Sequence, residues 1–381
     1  MFFLIVLSVF GGAHALIGFR LAALLQPTPV WRTILWSSLA ALMAVSIGGM
    51  VLARTAVPGP WWAELVVRIG FAWMGFVLLF FAASLAGAVV SGVGHFLPKS
   101  FADGIRSIGI GFFAIALLGG VWGLVSAARA PRIHEIELRL AGLPRAFDGY
   151  RVAHITDTHI GPILRRGWTE SLATRVDSAK ADLVVHTGDL VDGSLDRLAH
   201  SVEPLRNVSG TDGKVFVTGN HESYSGLLEW SSYARELGYR VLENGHFAIV
   251  RGQDTLVVAG VTDHHEGRHA AHRAPDPRKA LEGAPDGFRV LLAHQPVQAF
   301  SAQGLRVGLQ LSGHTHGGQI WPFHHLVRLA QPVVSGLGQV GDVPVFVSNG
   351  AGYWGPPMRL FAPNEVPILV LRPLDPGRQN L

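Results

Sequence analysis

The sequence predicts a two-part molecule, in which an α-helical transmembrane domain precedes a domain of α/β fold. Three observations support this prediction. Charged side chains make up 15% of the 381 residues, well below the roughly 25% that is usual in soluble globular proteins. Four long apolar runs occupy the first third of the chain. Beyond them, short apolar segments alternate with helical segments, and most of the short segments end in a polar cluster.

Four apolar runs, at about residues 2–25, 33–53, 65–94 and 105–127, predict membrane-spanning helices. Each reaches the ~20 residues that a helix needs to cross a bilayer core. The alternative is a set of helices buried in a soluble core, but such helices usually keep a polar stripe. We therefore expect residues 1–130 to form a transmembrane domain of about four spans and residues 131–381 to form the second domain.

The first run has a second interpretation as a secretory signal, because Ala13-His14-Ala15 fits a small-residue cleavage site. No basic residue precedes the run, as a signal peptide normally requires, so a retained helix is expected.

The side of the membrane on which the second domain lies follows from the basic residues of the loops. Those of the first and third loops, such as Arg32 and Lys99, slightly outnumber those of the second. Since cytoplasmic loops carry an excess of basic residues, this favours an extracytoplasmic second domain. The arginines that follow the last run argue for the reverse.

The basic excess of the chain belongs to its apolar part. Of nine charged residues before position 131, seven are basic, whereas the remaining 251 residues carry 24 basic and 25 acidic side chains. We therefore expect no nucleic-acid partner, and the sequence predicts no protein partner. Zero cysteines exclude disulfides, cysteine nucleophiles and thiolate metal sites. The runs contain no acidic pair of the kind that marks a transport path, which favours an anchor over a transporter.

The second part shows the alternation of strands and helices that is typical of a layered α/β domain. The predicted strands are 133–138, 151–156, 182–187, 214–218, 256–261, 289–293, 307–311 and 344–348. The predicted helices are 168–180, 195–205 and 226–237.

Polar clusters follow five of these strands, where α/β sheets usually place their sites. The residues that carry the chemistry are Asp157, His159, Asp189, Asn220, His221, Glu222, His294, His314 and His316. On an extended segment, residues i and i+2 point to one side, so Asp157 and His159 can face one point. Carboxylate, imidazole and amide oxygen are ligands of divalent metals. Seven such ligands are too many for one tetrahedral ion but suit two ions that share a carboxylate.

These five blocks resemble the signature of the calcineurin-like metallophosphoesterase superfamily, over about residues 133–372. The stretch from Gly313 to Gln319 and the segment from Gly352 to Pro357 are similar to a bacterial membrane-associated branch. The resemblance implies a four-layer αββα sandwich. It also implies a metal-dependent phosphohydrolase in which a hydroxide between two cations attacks phosphorus.

The resemblance implies a role for each matching residue. Asp157, His159 and His316 would hold one metal, and Asn220, His294 and His314 the second. Asp189 would bridge both. His221 would stand beside the scissile phosphate as general acid or hydrogen-bond donor, without binding metal, and Glu222 would orient it. The ligand types admit Mn, Fe, Zn, Ni or Co.

The expected function is hydrolysis of a phosphodiester or pyrophosphate at the membrane, with phosphodiesters favoured over phosphomonoesters. The substrate is expected to be a phosphoester, including lipid-linked or envelope compounds, because little chain separates the last span from the first strand. The alternatives are a non-catalytic metal-binding scaffold and a membrane receptor or transporter with a regulatory domain of this type.

Three further features keep two interpretations each. The His-rich run from Asp263 to Glu266 suggests either a metal site or, as we favour, a solvated loop. Tyr353 and Trp354 would form an aromatic wall against substrate or cap the core. His154 would be a core residue or would support the ligands.

Overall fold

The computed structural model describes residues 2–55, 59–94, 96, 98–269 and 271–374. The chain forms two compact units. The first comprises Met1–Ala128 together with Gly355–Leu360, and the second comprises Arg129–Trp354 together with Phe361–Leu381. The short segment Gly355–Leu360 therefore joins the helical unit, which the boundary expected from the sequence did not include.

Four long helices build the first unit, and each is long and apolar enough to cross a membrane. They are α1 (Phe2–Leu25), α2 (Pro29–Thr55), α3 (Trp61–Gly94) and α4 (Ala102–Ala128). They match the four apolar runs and extend most of them by a few residues, because flanking residues such as Trp61 continue the helix.

Small residues let these helices approach one another. A side chain at Gly70 would collide with the backbone of Val45 and Ser46 on α2, and the Ser46 hydroxyl donates a 3.0 Å hydrogen bond to the Gly70 carbonyl. Close backbone approach of this kind is a usual basis of helix association in lipid. Gly75 and Gly123 likewise leave room for the side chain of Met358.

The second unit contains two six-stranded sheets. The first has the order β1-β12-β2-β3-β4-β5 and the second the order β10-β11-β9-β8-β7-β6. The strands are β1 (Arg132–Leu140), β2 (Tyr150–Ile155), β3 (Leu183–His186), β4 (Lys214–Phe216), β5 (Arg240–Val241), β6 (Gly245–Arg251), β7 (Asp254–Gly260), β8 (Phe288–Leu292), β9 (Val307–Ser312), β10 (Gly336–Val340), β11 (Val343–Val347) and β12 (Glu365–Pro373).

Five helices pack on the outer faces of the sheets: α5 (Arg166–Ser178), α6 (Leu195–Val202) and α8 (Leu227–Glu236) on the first sheet, and α10 (Pro277–Ala280) and α11 (Ala299–Ala302) on the second. The unit also contains the short helices α7 (Asn220–Ser225), α9 (Glu266–His269) and α12 (His324–Val327). Three apolar cores result, one between the sheets and one under the helices on each side. The four-layer αββα sandwich is therefore confirmed.

The alternation of side chains along β2 shows how the layers form. Val152 enters the core between the sheets, whereas Ala153 and Ile155 enter the core beneath the helices. Both faces are buried from Val152 to Ile155, and apart from His154 this stretch is apolar, as expected for a central strand that is covered on both faces.

All eight predicted strands and all three predicted helices are present, with shifted ends. Four strands escaped prediction: β5, β6, β10 and β12. Of these, β12 lies between β1 and β2, parallel to the first and antiparallel to the second.

Candidate metal centre

The predicted site residues follow parallel strands of both sheets. In the first sheet β2, β3 and β4 run parallel, and in the second β8 and β9 run parallel. Asp157, Asp189, Asn220, His294 and His314 each come two to four residues after one of these strands. Three overlapping groups bring six of the seven predicted ligands together, and the seventh, Asn220, lies 3.2 Å from His294.

The loops that carry these residues have an uncommon backbone. Asp157, His159, Asp189, His314 and His316 all have positive φ angles, between 43° and 67°. For residues other than glycine this left-handed region carries a cost of about 1–2 kcal/mol each. Such conformations persist where the surrounding structure holds them, and they cluster at functional sites.

Glycines of the same motifs permit the close packing of the loops. A side chain at Gly188 (φ 91°) would overlap the backbone of Gly219, and a side chain at Gly219 would overlap the Asp189 carboxylate. At Gly313 an added carbon would overlap the Asp157 carboxylate and the Thr156 hydroxyl. The motifs therefore contain glycine at these positions because any side chain would overlap a neighbouring loop.

The first group contains Asp157, His159 and His316, whose donor atoms lie within 4.8 Å of one another. Nε2 of His159 lies 3.0 Å from Nε2 of His316, which in turn lies 3.5 Å from Oδ1 of Asp157. All three residues are buried. The backbone N–H of His314 donates to both carboxylate oxygens of Asp157, at 3.0 Å each, and fixes its plane.

The second group contains Asp189, His294 and His314. Nε2 of His294 lies 3.2 Å from Oδ2 of Asp189, 3.2 Å from Oδ1 of Asn220 and 3.2 Å from Nδ1 of His314. Oδ2 of Asp189 also lies 3.7 Å from Nε2 of His159. The Asp189 carboxylate therefore lies between the two groups.

The outer hydrogen bonds of the ligands determine where their lone pairs point. Nδ1 of His294 lies 2.7 Å from the Thr187 carbonyl oxygen, which can only accept, so this nitrogen carries the proton. Nδ1 of His159 lies 2.9 Å from Oδ1 of Asp192, which has the same consequence. In the neutral rings both Nε2 atoms then present lone pairs to the centre, as metal ligation requires. The Asn220 amide oxygen presents further lone pairs there, so the donor set fits divalent cations.

His221 lies next to the first group, with its ring 4.6 Å from the ring of His159 and nearly perpendicular to it. Its Nδ1 lies 2.6 Å from Oδ1 of Asp192. Its backbone N–H donates to Oδ1 of Asp189 at 2.9 Å. His221 also shares a group with His159 and Asp189, so proximity alone does not separate it from the ligands.

Glu222, which was expected to orient His221, makes its hydrogen bonds to the backbone. Both oxygens of the buried Glu222 carboxylate accept backbone N–H groups, from Gly219 at 2.6 Å, Asp189 at 3.0 Å and Leu190 at 2.8 Å. Glu222 therefore holds the loop that carries Asp189. The ring of His221 is instead held by Asp192, which the sequence analysis missed; its signal was a second aspartate three residues after Asp189.

Charge and burial oppose each other throughout the site. Burial raises the pKa of Asp157. Burial also acts to raise the pKa of Asp189, but His294 and His221 outweigh it and hold this pKa well below the usual value. Burial acts to lower the pKa of His221, whereas Asp189 and Asp192 raise it to about 9. Burial lowers the pKa of His314 to about 4.

The structure also shows the surroundings of the His-rich run and of His154. In the His-rich run Asp263 and Glu266 are buried, contrary to the favoured solvated loop, and Asp263 accepts hydrogen bonds from the backbone of His265 and from Gln295. His154 is a core residue, fully buried, with Nε2 2.9 Å from the Thr187 hydroxyl.

Known proteins resemble this chain in both sequence and organisation. Residues 150–318 match the family model described as calcineurin-like phosphoesterase. A "Transmembrane protein with metallophosphoesterase domain" of Danio rerio is 32% identical over 364 residues, which cover 91% of this chain and 81% of that protein. The match thus extends over both units.

Two bacterial relatives match a smaller share of the chain. An uncharacterized metallophosphoesterase of Helicobacter pylori (strain J99) is 37% identical over 283 residues, which cover 73% of this chain and 74% of that protein. One of Aquifex aeolicus is 31% identical over 246 residues, which cover 63% of this chain and 92% of that protein.

Proposed function

Because the chain belongs to the calcineurin-like phosphoesterase family, we propose that it is a membrane-anchored phosphoesterase that holds two divalent metal ions and hydrolyses phosphodiester or pyrophosphate bonds. In this proposal residues 1–130 anchor the protein and residues 131–381 carry the catalytic site. The observation that carries it is the set of buried lone pairs that converge from both sheets, with Asp189 between the two halves of the set.

The ligands divide into two sets. Asp157, His159 and His316 would hold one ion. A second ion would take the ligands that surround His294, namely Asn220, His294 and His314. Asp189 would serve both ions. When bound, the ions would supply water activation and neutralisation of phosphoryl charge.

The chain itself supplies proton transfer and orientation. His221 lies beside the metal ligands, with its Nδ1 2.6 Å from Asp192, and in this proposal its ring stays protonated and binds no metal. A protonated ring held in this way would donate from Nε2 to the leaving oxygen. Glu222 and the backbone of His314 keep Asp189 and Asp157 in place.

A lipid-linked or envelope phosphoester is the substrate class that we propose. Only three residues of chain separate the end of α4 from the start of β1, which favours a substrate presented at the membrane surface. A purified protein that hydrolyses soluble diesters but no detergent- or vesicle-presented lipid phosphodiester would contradict this choice.

We also propose that the catalytic domain lies outside the cytoplasm, as the basic residues of the loops favour. Protease added to intact spheroplasts that express the full chain should then cleave within residues 131–381. Cleavage that occurs only after the membrane is permeabilised would place the domain in the cytoplasm.

The test of the function joins metal analysis to kinetics. The full-length protein, purified in detergent and supplied with Mn²⁺, should hydrolyse bis-p-nitrophenyl phosphate with a higher kcat/KM than p-nitrophenyl phosphate. Asp189→Asn and His294→Ala should lose both metal and activity. His221→Ala should keep its metal while kcat falls roughly 10²–10⁴-fold, the usual contribution of a general acid.

His264→Ala, which removes an exposed histidine, is the matched control and should behave as the wild type. Metal binding without hydrolysis of any phosphoester would instead support a scaffold. Loss of metal from His221→Ala would make His221 a ligand.

A further inference from the structure

Two exposed aromatic side chains lie beside His221. The ring of Tyr224 lies 5.6 Å from the His221 ring and the ring of Trp354 lies 6.1 Å from it, and both are inclined steeply to it, at 67° and 78°. Tyr224 is 60% exposed and Trp354 is 58% exposed. Ligand sites are lined mainly by apolar and aromatic side chains, so two such rings beside the proposed acid are candidates for contact with a ligand.

Both residues are anchored although their rings are exposed. Tyr224 is on α7, three residues after His221 and so on the same face of the helix. Its ring also packs against the ring of His265, at 6.0 Å. The backbone of Trp354 is fixed by Gln319, whose side-chain amide donates to the Trp354 carbonyl at 2.8 Å and accepts from the Trp354 N–H at 3.0 Å.

Gln319 follows the loop that contains His314 and His316, so the position of Trp354 is tied to the loop that bears two of the proposed ligands. The neighbouring Tyr353 is 7% exposed and belongs to the interior. The two aromatics of this dipeptide therefore have different roles, and stability of the core does not account for Trp354.

The location of these rings identifies what they would contact. A proton donor lies next to the oxygen of the leaving group, because that oxygen receives the proton. Groups that flank His221 are therefore close to the leaving group and not to the part of the substrate that stays on phosphorus. Aromatic side chains favour flat or apolar surfaces, with ring separations of 4.5–7 Å.

We propose that Tyr224 and Trp354 form an aromatic slot that binds the leaving group of the substrate by a flat, ring-shaped face, and that Gln319 positions Trp354 in it. This proposal rests on the proposed phosphoesterase function. It assigns the specificity for the leaving group to two residues that bind no metal. Prepositioned rings lose little conformational freedom on binding, so their contact contributes efficiently.

The test compares two phosphodiesters that share a methyl ester and differ in the leaving group, which is phenyl in one and a fluoroalkyl group of similar acidity in the other. Because the two leaving groups have similar acidity, a difference in their rates of hydrolysis reports recognition of the ring and not the ease of bond cleavage. Hydrolysis is followed by ³¹P NMR on the full-length, metal-loaded protein. The wild type should prefer the phenyl ester.

Trp354→Leu and Tyr224→Leu should each lower the phenyl-to-fluoroalkyl ratio of kcat/KM roughly two- to tenfold, the usual size of an aromatic contact. The loss should appear mainly in KM, and the metal content should stay at the wild-type level. Gln319→Ala should lower the ratio in the same direction. Phe300→Leu, which removes an exposed aromatic side chain on α11, should leave both the activity and the ratio unchanged.

An unchanged ratio in Trp354→Leu and Tyr224→Leu would overturn the slot, and so would an equal loss on both esters. A loss confined to substrates presented on vesicles would also overturn it, since the rings would then contact lipid. If the metal-loaded wild type hydrolyses neither ester, the phosphoesterase function itself fails and the slot fails with it.

Discussion

A single carboxylate oxygen, Oδ1 of Asp192, accepts hydrogen bonds from Nδ1 of both His159 and His221. One of these rings is a proposed ligand and the other is the proposed acid. The shared contact fixes the tautomer of His159, so that Nε2 faces the metal site, and fixes the direction of the His221 ring. Asp192 therefore orients both the proposed metal ligand His159 and the proposed acid His221.

Removal of the Asp192 carboxylate should weaken both metal binding by His159 and proton donation by His221. We expect Asp192→Ala to lower kcat and metal affinity roughly 10–100-fold each, the usual effect of removing a group that supports a ligand. Asp192→Asn, which keeps one oxygen acceptor, should lose less. Metal titration and kinetics on bis-p-nitrophenyl phosphate measure the two effects.

The matched control is Asp196→Ala, which removes an exposed aspartate in the first turn of α6. It should match the wild type. Equal behaviour of Asp192→Ala and Asp196→Ala would show that His159 and His221 are aligned without Asp192.

At this scale the sequence indicated the candidate ligands, because metal chemistry restricts them to a few residue types in short motifs. It did not predict the supporting contacts. Glu222 follows His221 directly in sequence, but adjacent residues of a helix face different directions. Glu222 turns towards the backbone of Gly219 and Leu190, which leaves the His221 ring to Asp192.

The loops that follow the strands pack closely against one another because glycines leave room for the contact. Gly313 lies where the loop after β9 meets the loop after β2, and its N–H donates to the His294 carbonyl oxygen at 2.9 Å. The next residue, His314, donates its N–H to the Asp157 carboxylate. One loop thus orients ligands from two others.

Gly313→Ala should therefore damage the metal site while the fold persists. The added methyl group would overlap the Asp157 carboxylate and the Thr156 hydroxyl, so Asp157 must move. We expect metal affinity to fall roughly 10–100-fold, as it does when ligand orientation is lost. Metal titration of the purified variant measures this.

Gly167→Ala is the control, because the added carbon would meet nothing within 4 Å at that position in α5. Its metal affinity should be unchanged and its stability equal or slightly higher, since alanine is the better helix former. Retention of full metal affinity by Gly313→Ala would contradict the steric argument.

Elements with a strong local pattern were predictable, and elements defined by distant pairing were not. The buried parallel strands β2, β3, β8 and β9 are short apolar runs followed by polar clusters. In contrast, β12 pairs with β1 and β2, more than 200 residues earlier in the chain. Nothing in the local sequence of β12 specifies that this strand lies between β1 and β2. Gly336–Val340, which forms β10, contains two glycines that weaken any strand pattern.

The whole chain combines four apolar helices with a four-layer sandwich. The sequence pattern of each part reflects the surroundings of its side chains, which are lipid for the helices and water or a protein core for the sandwich. Apolar side chains that face lipid need no alternation, so the spans were evident from composition alone. The sandwich required alternation of strands and helices. That Gly355–Leu360 joins the helical unit was not predictable, because its packing depends on small residues such as Gly75 and Gly123.

The sandwich also contains two histidines that make its stability depend on pH. His154 on β2 and His186 on β3 are fully buried, and burial lowers the pKa of each to about 3. In the unfolded chain the pKa of a histidine is about 6.5. Between these values the unfolded state binds more protons than the folded state, so the free energy of unfolding falls as the pH decreases.

We therefore expect the metal-free protein to lose about 2 kcal/mol of stability per buried histidine between pH 7 and pH 5. His154→Gln and His186→Gln, which cannot titrate, should each shrink this loss by about that amount. Urea unfolding in detergent, followed by tryptophan fluorescence, measures it. Exposed His264, replaced by Gln, should leave the loss unchanged. If His154→Gln and His186→Gln lose as much stability as the wild type, acid must act on other groups, and burial in the sheet does not keep these rings neutral.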